Sequence, residues 1–401
     1  MTSKLILSWC LLATSLTILL TTSFSAHADS NFAGYLKSFA VAQDGINTTA
    51  LSTQETYQSQ NSVRLMWEKF GKAVWQIHYE ISPVLLSRRQ PVDSPTFSVV
   101  GDSYRLTDLQ TSLSGMSQKN QVYQNLDRFN IQWQFSRGDL TIGRQAISFG
   151  SARIINPTDI FLPFNLQTFN QEYRMGVDAI RFQAPIGELG EFDFGLVIGE
   201  DGKAENSAAF LQLKGNVRGK DLQFTFTRFA EQTLVGAGIQ TALGDFGFWL
   251  EHANVNGDFN YWRTSVGLDY AFTENSFAMI EYHHNGAGSD EPEEYLALLT
   301  TLPFQRGGIF MLGEDYLMPS FTLQLSPLWA LTTQAIYNLG DDSAFISLSA
   351  EYNVMGDLYM DFGFYHFLGD ELTVVAPGIP LLRSEYGTNP DTIYASLRFY
   401  F

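Results

Sequence analysis

Thr392 to Phe401 reads T-I-Y-A-S-L-R-F-Y-F. Ile393, Ala395, Leu397, Phe399 and Phe401 share one face of an extended strand, with Tyr394, Ser396, Arg398 and Tyr400 on the other, since successive strand side chains point to opposite sides. In water, such an apolar face invites edge pairing and aggregation. A closed barrel in a membrane removes both hazards. The neighbouring strand satisfies the backbone, and lipid accepts the side chains. The stretch therefore predicts a lipid-facing strand.

The other end agrees. Met1 to Ala28 reads as a cleaved secretory signal peptide: Lys4 supplies the positive charge, Leu5 to Leu20 the apolar stretch, and Ala26-His27-Ala28 the small-x-small site before Asp29. The only cysteine, Cys10, falls inside it, so the mature chain is expected to have no disulfide and no thiolate metal site. Beyond residue 28 no apolar run is long enough for a membrane helix. Yet the chain holds 32 Phe, 18 Tyr and 33 Gly with only 16% charged residues, a composition suited to many strands with aromatic girdles. A net charge of −18 argues against nucleic acid, whose phosphates it would repel. No Pro- or Ser-rich linker divides the chain, so residues 29–401 are expected to form one domain.

Period-two alternation recurs along nearly all of it. Phe129, Ile131, Trp133 and Phe135 oppose Arg128, Asn130, Gln132 and Gln134; Trp262, Thr264, Val266, Leu268 and Tyr270 oppose Arg263, Ser265, Gly267 and Asp269. Reading strands this way gives 31–42, 61–69, 73–82, 126–135, 139–146, 177–184, 191–199, 207–215, 220–229, 234–242, 245–253, 261–271, 275–284, 317–325, 328–338, 344–353, 357–367 and 392–401. The fold class is all-β: a transmembrane, antiparallel, up-and-down β-barrel of about 18 strands, within a range of 16 to 18. Short connections such as Gly71-Lys72, Leu243-Gly244 and Ser326-Pro327 alternate with a set containing every long loop: 43–60, 83–125, 147–176, 285–316 and 368–391. Barrels keep short turns in the periplasm and long loops outside. An even count places both termini on the periplasmic side.

Polar strand parity points inward in a wide barrel, which gives Arg64, Glu80, Arg128, Arg181, Asp193, Glu251, Arg263, Asp269, Glu351 and Arg398 as lumen candidates. Both signs of charge are present. The loop 147–176 carries Ile154, Ile155, Ile160, Phe161, Leu162, Phe164 and Phe169, too many apolar residues for free solvation. Two readings stand: packing on the inner wall, which narrows the pore, or an external lid over neighbouring loops. On the first, Arg144, Arg153, Asp159, Glu172 and Arg174 are the constriction candidates.

Two resemblances follow from these residues. The terminal strand resembles the C-terminal signal of Gram-negative outer-membrane β-barrels. That implies recognition by barrel-assembly machinery through Tyr394, Leu397, Phe399 and Phe401, and residence in the outer membrane among its lipids. Gly143 to Gly150 (G-R-Q-A-I-S-F-G), Asn156 to Asp159 (N-P-T-D) and Val177 to Arg181 (V-D-A-I-R) resemble the porin-like and alginate-export-like barrels. This implies an 18-stranded channel without enzymatic chemistry. Exporters of that kind carry a basic lumen for a polyanion. Here the inward acids are at least as numerous as the bases, so polyanion export is not expected.

Signals for other chemistry are weak. Adjacent His283 and His284 on a strand point to opposite faces and cannot chelate together, so no metal and no cofactor is expected. Gly288-Ser289 beside His284 lacks a nucleophile elbow, and Gly236-x-Gly238 lacks the third glycine of a dinucleotide fingerprint. Trp67, Trp75, Trp133, Trp249, Trp262 and Trp329 are expected in interfacial girdles. The expected function is passive or facilitated passage of small hydrophilic solutes. A non-transport barrel is the alternative: an adhesion or receptor platform, or a sheath around a partner such as an electron-carrying cytochrome. Monomer and homo-oligomer both remain open.

Overall fold

A computed structural model describes residues 29–48, 53–87, 104–107, 120–161, 172–376 and 379–401. Residues 1–28, the expected signal peptide, and Leu162, Phe164 and Phe169 lie outside the described residues. Among those described, eighteen strands close into one antiparallel sheet. They are β1 (Ser30–Gln43), β2 (Thr56–Lys69), β3 (Ala73–Leu86), β4 (Asn120–Phe135), β5 (Gly138–Gln145), β6 (Val177–Ile186), β7 (Gly190–Val197), β8 (Ala208–Val217) and β9 (Lys220–Phe229). The second half runs β10 (Gln232–Leu243), β11 (Phe246–Asn256), β12 (Tyr261–Thr273), β13 (Ser276–Asn285), β14 (Asp315–Ser326), β15 (Trp329–Asn338), β16 (Ala344–Met355), β17 (Leu358–Leu368) and β18 (Thr392–Tyr400). Each strand pairs with its sequence neighbours, and β1 pairs with β18 from Tyr35↔Tyr400 to Gln43↔Thr392. Phe401 completes the seam: its N–H donates to the Gly34 carbonyl at 3.0 Å, and the Gly34 N–H donates to the Phe401 carbonyl at 2.8 Å. No edge is left open, so the backbone needs no partner from lipid.

Every strand read from alternation is present. The largest early starts are β2, by five residues, and β4, by six. Their extra turns of ladder carry polar residues such as Gln58, Ser59 and Gln60, which pair by backbone without apolar alternation.

One parity of the wall is apolar and exposed: Leu65, Trp75, Phe129, Ile180, Phe194, Leu250, Phe321, Leu348, Phe362 and Ile393. The opposite parity therefore faces the interior. Trp75, Trp262 and Trp329 belong to the exposed belt. Trp249 does not. It is buried on the inner side, and its Nε1 donates to Glu281 at 2.7 Å, because it shares the parity of Glu251 rather than that of Leu250.

Candidate functional site

The loop between β5 and β6 turns inward at Gly150. That residue has φ of +116°, and a Cβ there would stand 2.0 Å from the Asn156 Oδ1, so only glycine fits the elbow. The next eight residues lie along the inner faces of β9 to β13. Two buried carboxylates hold them. Glu251 accepts from the backbone N–H of Ser151, Ala152 (3.1 Å) and Thr158 (2.9 Å), and from the Thr158 hydroxyl (2.7 Å). Glu281 accepts from Arg153 N (3.0 Å), Ile154 N (3.1 Å) and Ile155 N (2.8 Å). Ser265 Oγ donates to the Ile155 carbonyl at 2.6 Å, and Gln240 Nε2 to that of Ser151. Glu251, Ser265 and Glu281 all sit on the buried parity, so the loop lies inside the barrel.

Close approach explains a motif that pointed nowhere in the sequence. A Cβ on Gly236 would meet Thr158 Cγ2 at 2.4 Å, and one on Gly238 would meet Ser151 Oγ at 2.3 Å. The two β10 glycines form the trough that receives the loop.

Apolar side chains seal it. Ile147, Phe149, Ile160 and Phe161 join inward residues of β6 to β12, among them Val177, Phe210, Phe229 and Leu234, with Phe304 and Ile309 from the 286–314 connection. Ile154 and Ile155 join Tyr316, Met318, Ile336, Phe345 and Tyr365 of β14 to β17. Part of the inner wall is therefore covered by the loop, which occupies part of the barrel interior.

The returning arm reaches the opposite side. Glu172 pairs with Lys37 of β1 (2.7 Å) and Arg398 of β18 (3.4 Å), and accepts from the Tyr400 hydroxyl. Burial raises the pKa of Glu172, but the hydrogen bonds from Lys37 and Tyr400 outweigh it and hold the carboxyl below its ordinary value. Tyr173 stacks on Tyr35 and lies 4.3 Å from the Arg64 guanidinium. Arg174 pairs with Asp159 at 2.7 Å, joining the two arms.

The candidates separate into three groups. Arg153, Asp159, Glu172 and Arg174 all lie on the inserted loop, but only Arg174 and Asp159 meet; Glu172 turns to β1 and β18, and Arg153 to β11 and β12. The Arg153 side chain is 51% exposed, near Asp269 (3.4 Å) and 5.5 Å from the Trp249 ring. Arg398 joins Glu351 (2.5 Å) and Asp361 (2.7 Å) near Glu172, and the Glu351 side chain is 44% exposed. Arg144 departs from its expected place. It shares the outward parity of Ile142, pairs with Asp178 at 2.8 Å and donates to Leu126 and Thr107 carbonyls. It braces the rim and does not reach the passage.

Inward parity also differs from exposure to a solute. Arg64, Arg128, Asp193, Glu251 and Arg263 point inward but are buried. Arg181 pairs with Asp193 at 2.5 Å, Arg263 donates to the Pro157 carbonyl at 3.3 Å, and Glu80 pairs with Arg64 at 3.3 Å. Their charges are consumed by the wall and the loop. The centre of one such cluster, Asp127, was not legible. It accepts from Arg64, from Arg128 (2.8 Å) and from Gly176 N–H (2.8 Å). Alternation from Arg128 puts it outward, but the register shifts beside it, between His78 and Tyr79, and a bulge re-aims the side chain. Lys37 was missed because its β1 neighbours on the inner face, Tyr35, Phe39 and Val41, are apolar and buried.

The fold has counterparts among solved structures. OccAB4 of Acinetobacter baumannii superposes with a TM-score of 0.58 at 8% identity, covering 93% of this chain and 99% of that one. OccK5 (OpdH) of Pseudomonas aeruginosa gives 0.58 at 8%, covering 93% and 98%. The outer membrane protein OprD of the same organism gives 0.55 at 11%, covering 93% of each chain. At such identities the likeness is one of fold. No family model matches the chain, and no curated protein matches it.

Proposed function

We propose that this chain is an outer-membrane channel of Gram-negative type, passing small hydrophilic solutes through a loop-narrowed lumen. The observation that carries it is the inserted loop. Glu251 and Glu281 fix its backbone to the wall, while Arg153, Arg174, Glu172 and Glu351 keep solvent-accessible charge beside the passage. Fixed charges at a constriction select solutes by electrostatics as well as by size. The mixed signs suit small zwitterions and neutral polar solutes better than a polyanion. A cavity of about 430 Å³ beneath the loop elbow, lined by Ser151, Glu191, Lys214, Asp221, Gln223 and Gln240, repeats that mixture. The similarity to OprD and Occ barrels supports the reading at the level of fold. An interior occupied by the chain's own loop disfavours a sheath around a partner protein.

Planar-bilayer recording of the purified protein tests this directly: it should give discrete single-channel steps. Arg153→Ala and Arg174→Ala should each shift ion selectivity toward cations by a factor of about two to five, the size expected for losing one partly screened charge. A silent barrel would overturn the channel reading. Unchanged selectivity in both variants would remove the loop arginines from the passage.

A further inference from the structure

His284 ends β13 and Asp315 begins β14, directly opposite each other in the ladder. The His284 Nδ1 lies 2.8 Å from Asp315 Oδ1. With Glu314, the preceding residue, they bring one imidazole nitrogen and two carboxylate oxygens within 4.8 Å of one another. The imidazole is held in place: Trp262 stacks on it with centroids 3.8 Å apart and planes at 23°. Asp315 is oriented by the Tyr282 hydroxyl at 2.6 Å. The Glu314 backbone is fixed by Asn285 N–H, which donates to its carbonyl at 2.7 Å.

The charge there is uncompensated. Among the described residues, no Lys or Arg pairs with Asp290, Glu314 or Asp315, and the Glu314 carboxylate accepts no hydrogen bond. A divalent cation would neutralise these carboxylates.

We propose that His284, Glu314 and Asp315 form a divalent-cation site on the outer rim of the barrel. One imidazole with two carboxylates is a borderline donor set, suited to Zn²⁺ and its first-row neighbours. Ca²⁺ would demand six or more oxygens. Three protein ligands leave the remaining positions to water. His284 shares the outward parity of Ile280 and Trp262, whereas His283 points inward and meets Ser265 Oγ at 2.8 Å. The site therefore lies outside the passage and is independent of the channel reading.

The test uses the tag-free full-length barrel in detergent, stripped with chelator, then titrated with Zn²⁺ by calorimetry and with Co²⁺ by visible absorption. One ion per chain is expected, with affinity reduced at least tenfold in His284→Ala and in Glu314→Gln. The second variant sacrifices no side-chain hydrogen bond among the described residues, and heat-modifiable gel mobility verifies its folding. Conductance should be unchanged in both. Absence of stoichiometric binding in the wild type, or equal binding in Glu314→Gln, would reduce the cluster to a His–Asp hydrogen bond and overturn the proposal.

Discussion

At the scale of single residues, a carboxylate that anchors a loop and one that faces a solute look alike in sequence. Glu251 and Glu351 both fall on inward parity, yet the first is fully buried under backbone N–H donors and the second is 44% exposed on its side chain. The difference comes from residues about a hundred positions away, which no local pattern records. Glu385 shows the same in the 369–391 connection. Burial pushes its carboxyl up to about 7, although Tyr316 (2.5 Å), Leu312 N–H (3.0 Å) and Asn338 (3.0 Å) all donate to it and partly oppose the shift, while Asp341 adds to it. A native pKa above the ordinary value means that docking of this connection is strongest at low pH. It should weaken as pH rises from about 4.5 to 7, then level off. Amide protection factors around residue 385 should follow that curve and become flat in Glu385→Gln. An identical pH profile in the variant would assign the dependence to another group.

Among the elements, the inserted loop is the one whose apolar content announced packing while leaving its location undecided between wall and lid. The side chains that fix it inside are Glu281 and Glu251, 128 and 93 residues from Arg153 and Thr158. Alternation put Glu251 on the inward parity but carried no hint of its partners. Replacing Glu281 by Gln substitutes one acceptor and one donor for an anion that receives three backbone N–H bonds and the Trp249 indole. At least one buried donor is then unpaired, at a cost of about 1–3 kcal/mol. The expected result is a looser constriction, seen as larger and noisier conductance with unchanged folding. A trace identical to wild type would refute the anchoring role. Neighbouring strands needed no such long-range information, because a hairpin is set by local alternation and a short turn.

For the whole molecule, closure rests on one seam. Phe401 exchanges backbone hydrogen bonds with Gly34, and its ring lies 6.3 Å from Phe32 and 6.1 Å from Phe399. Deleting Phe401 should lower the fraction that reaches the heat-modifiable folded form, and Phe401→Ala, which keeps the backbone pair, should lower it less. Equal folding of all three proteins would show that the terminal ring and its hydrogen bonds are dispensable for closure. The sequence by itself determined the strands, their faces and the alternation of short and long connections, because each follows from period-two burial against lipid within a dozen residues. Only the tertiary structure decided which inward charges remain available, where the loop lies, and that a bulge turns Asp127 inside. Those outcomes depend on contacts across the barrel, where pairing and burial are settled by side chains that meet only once the sheet has closed.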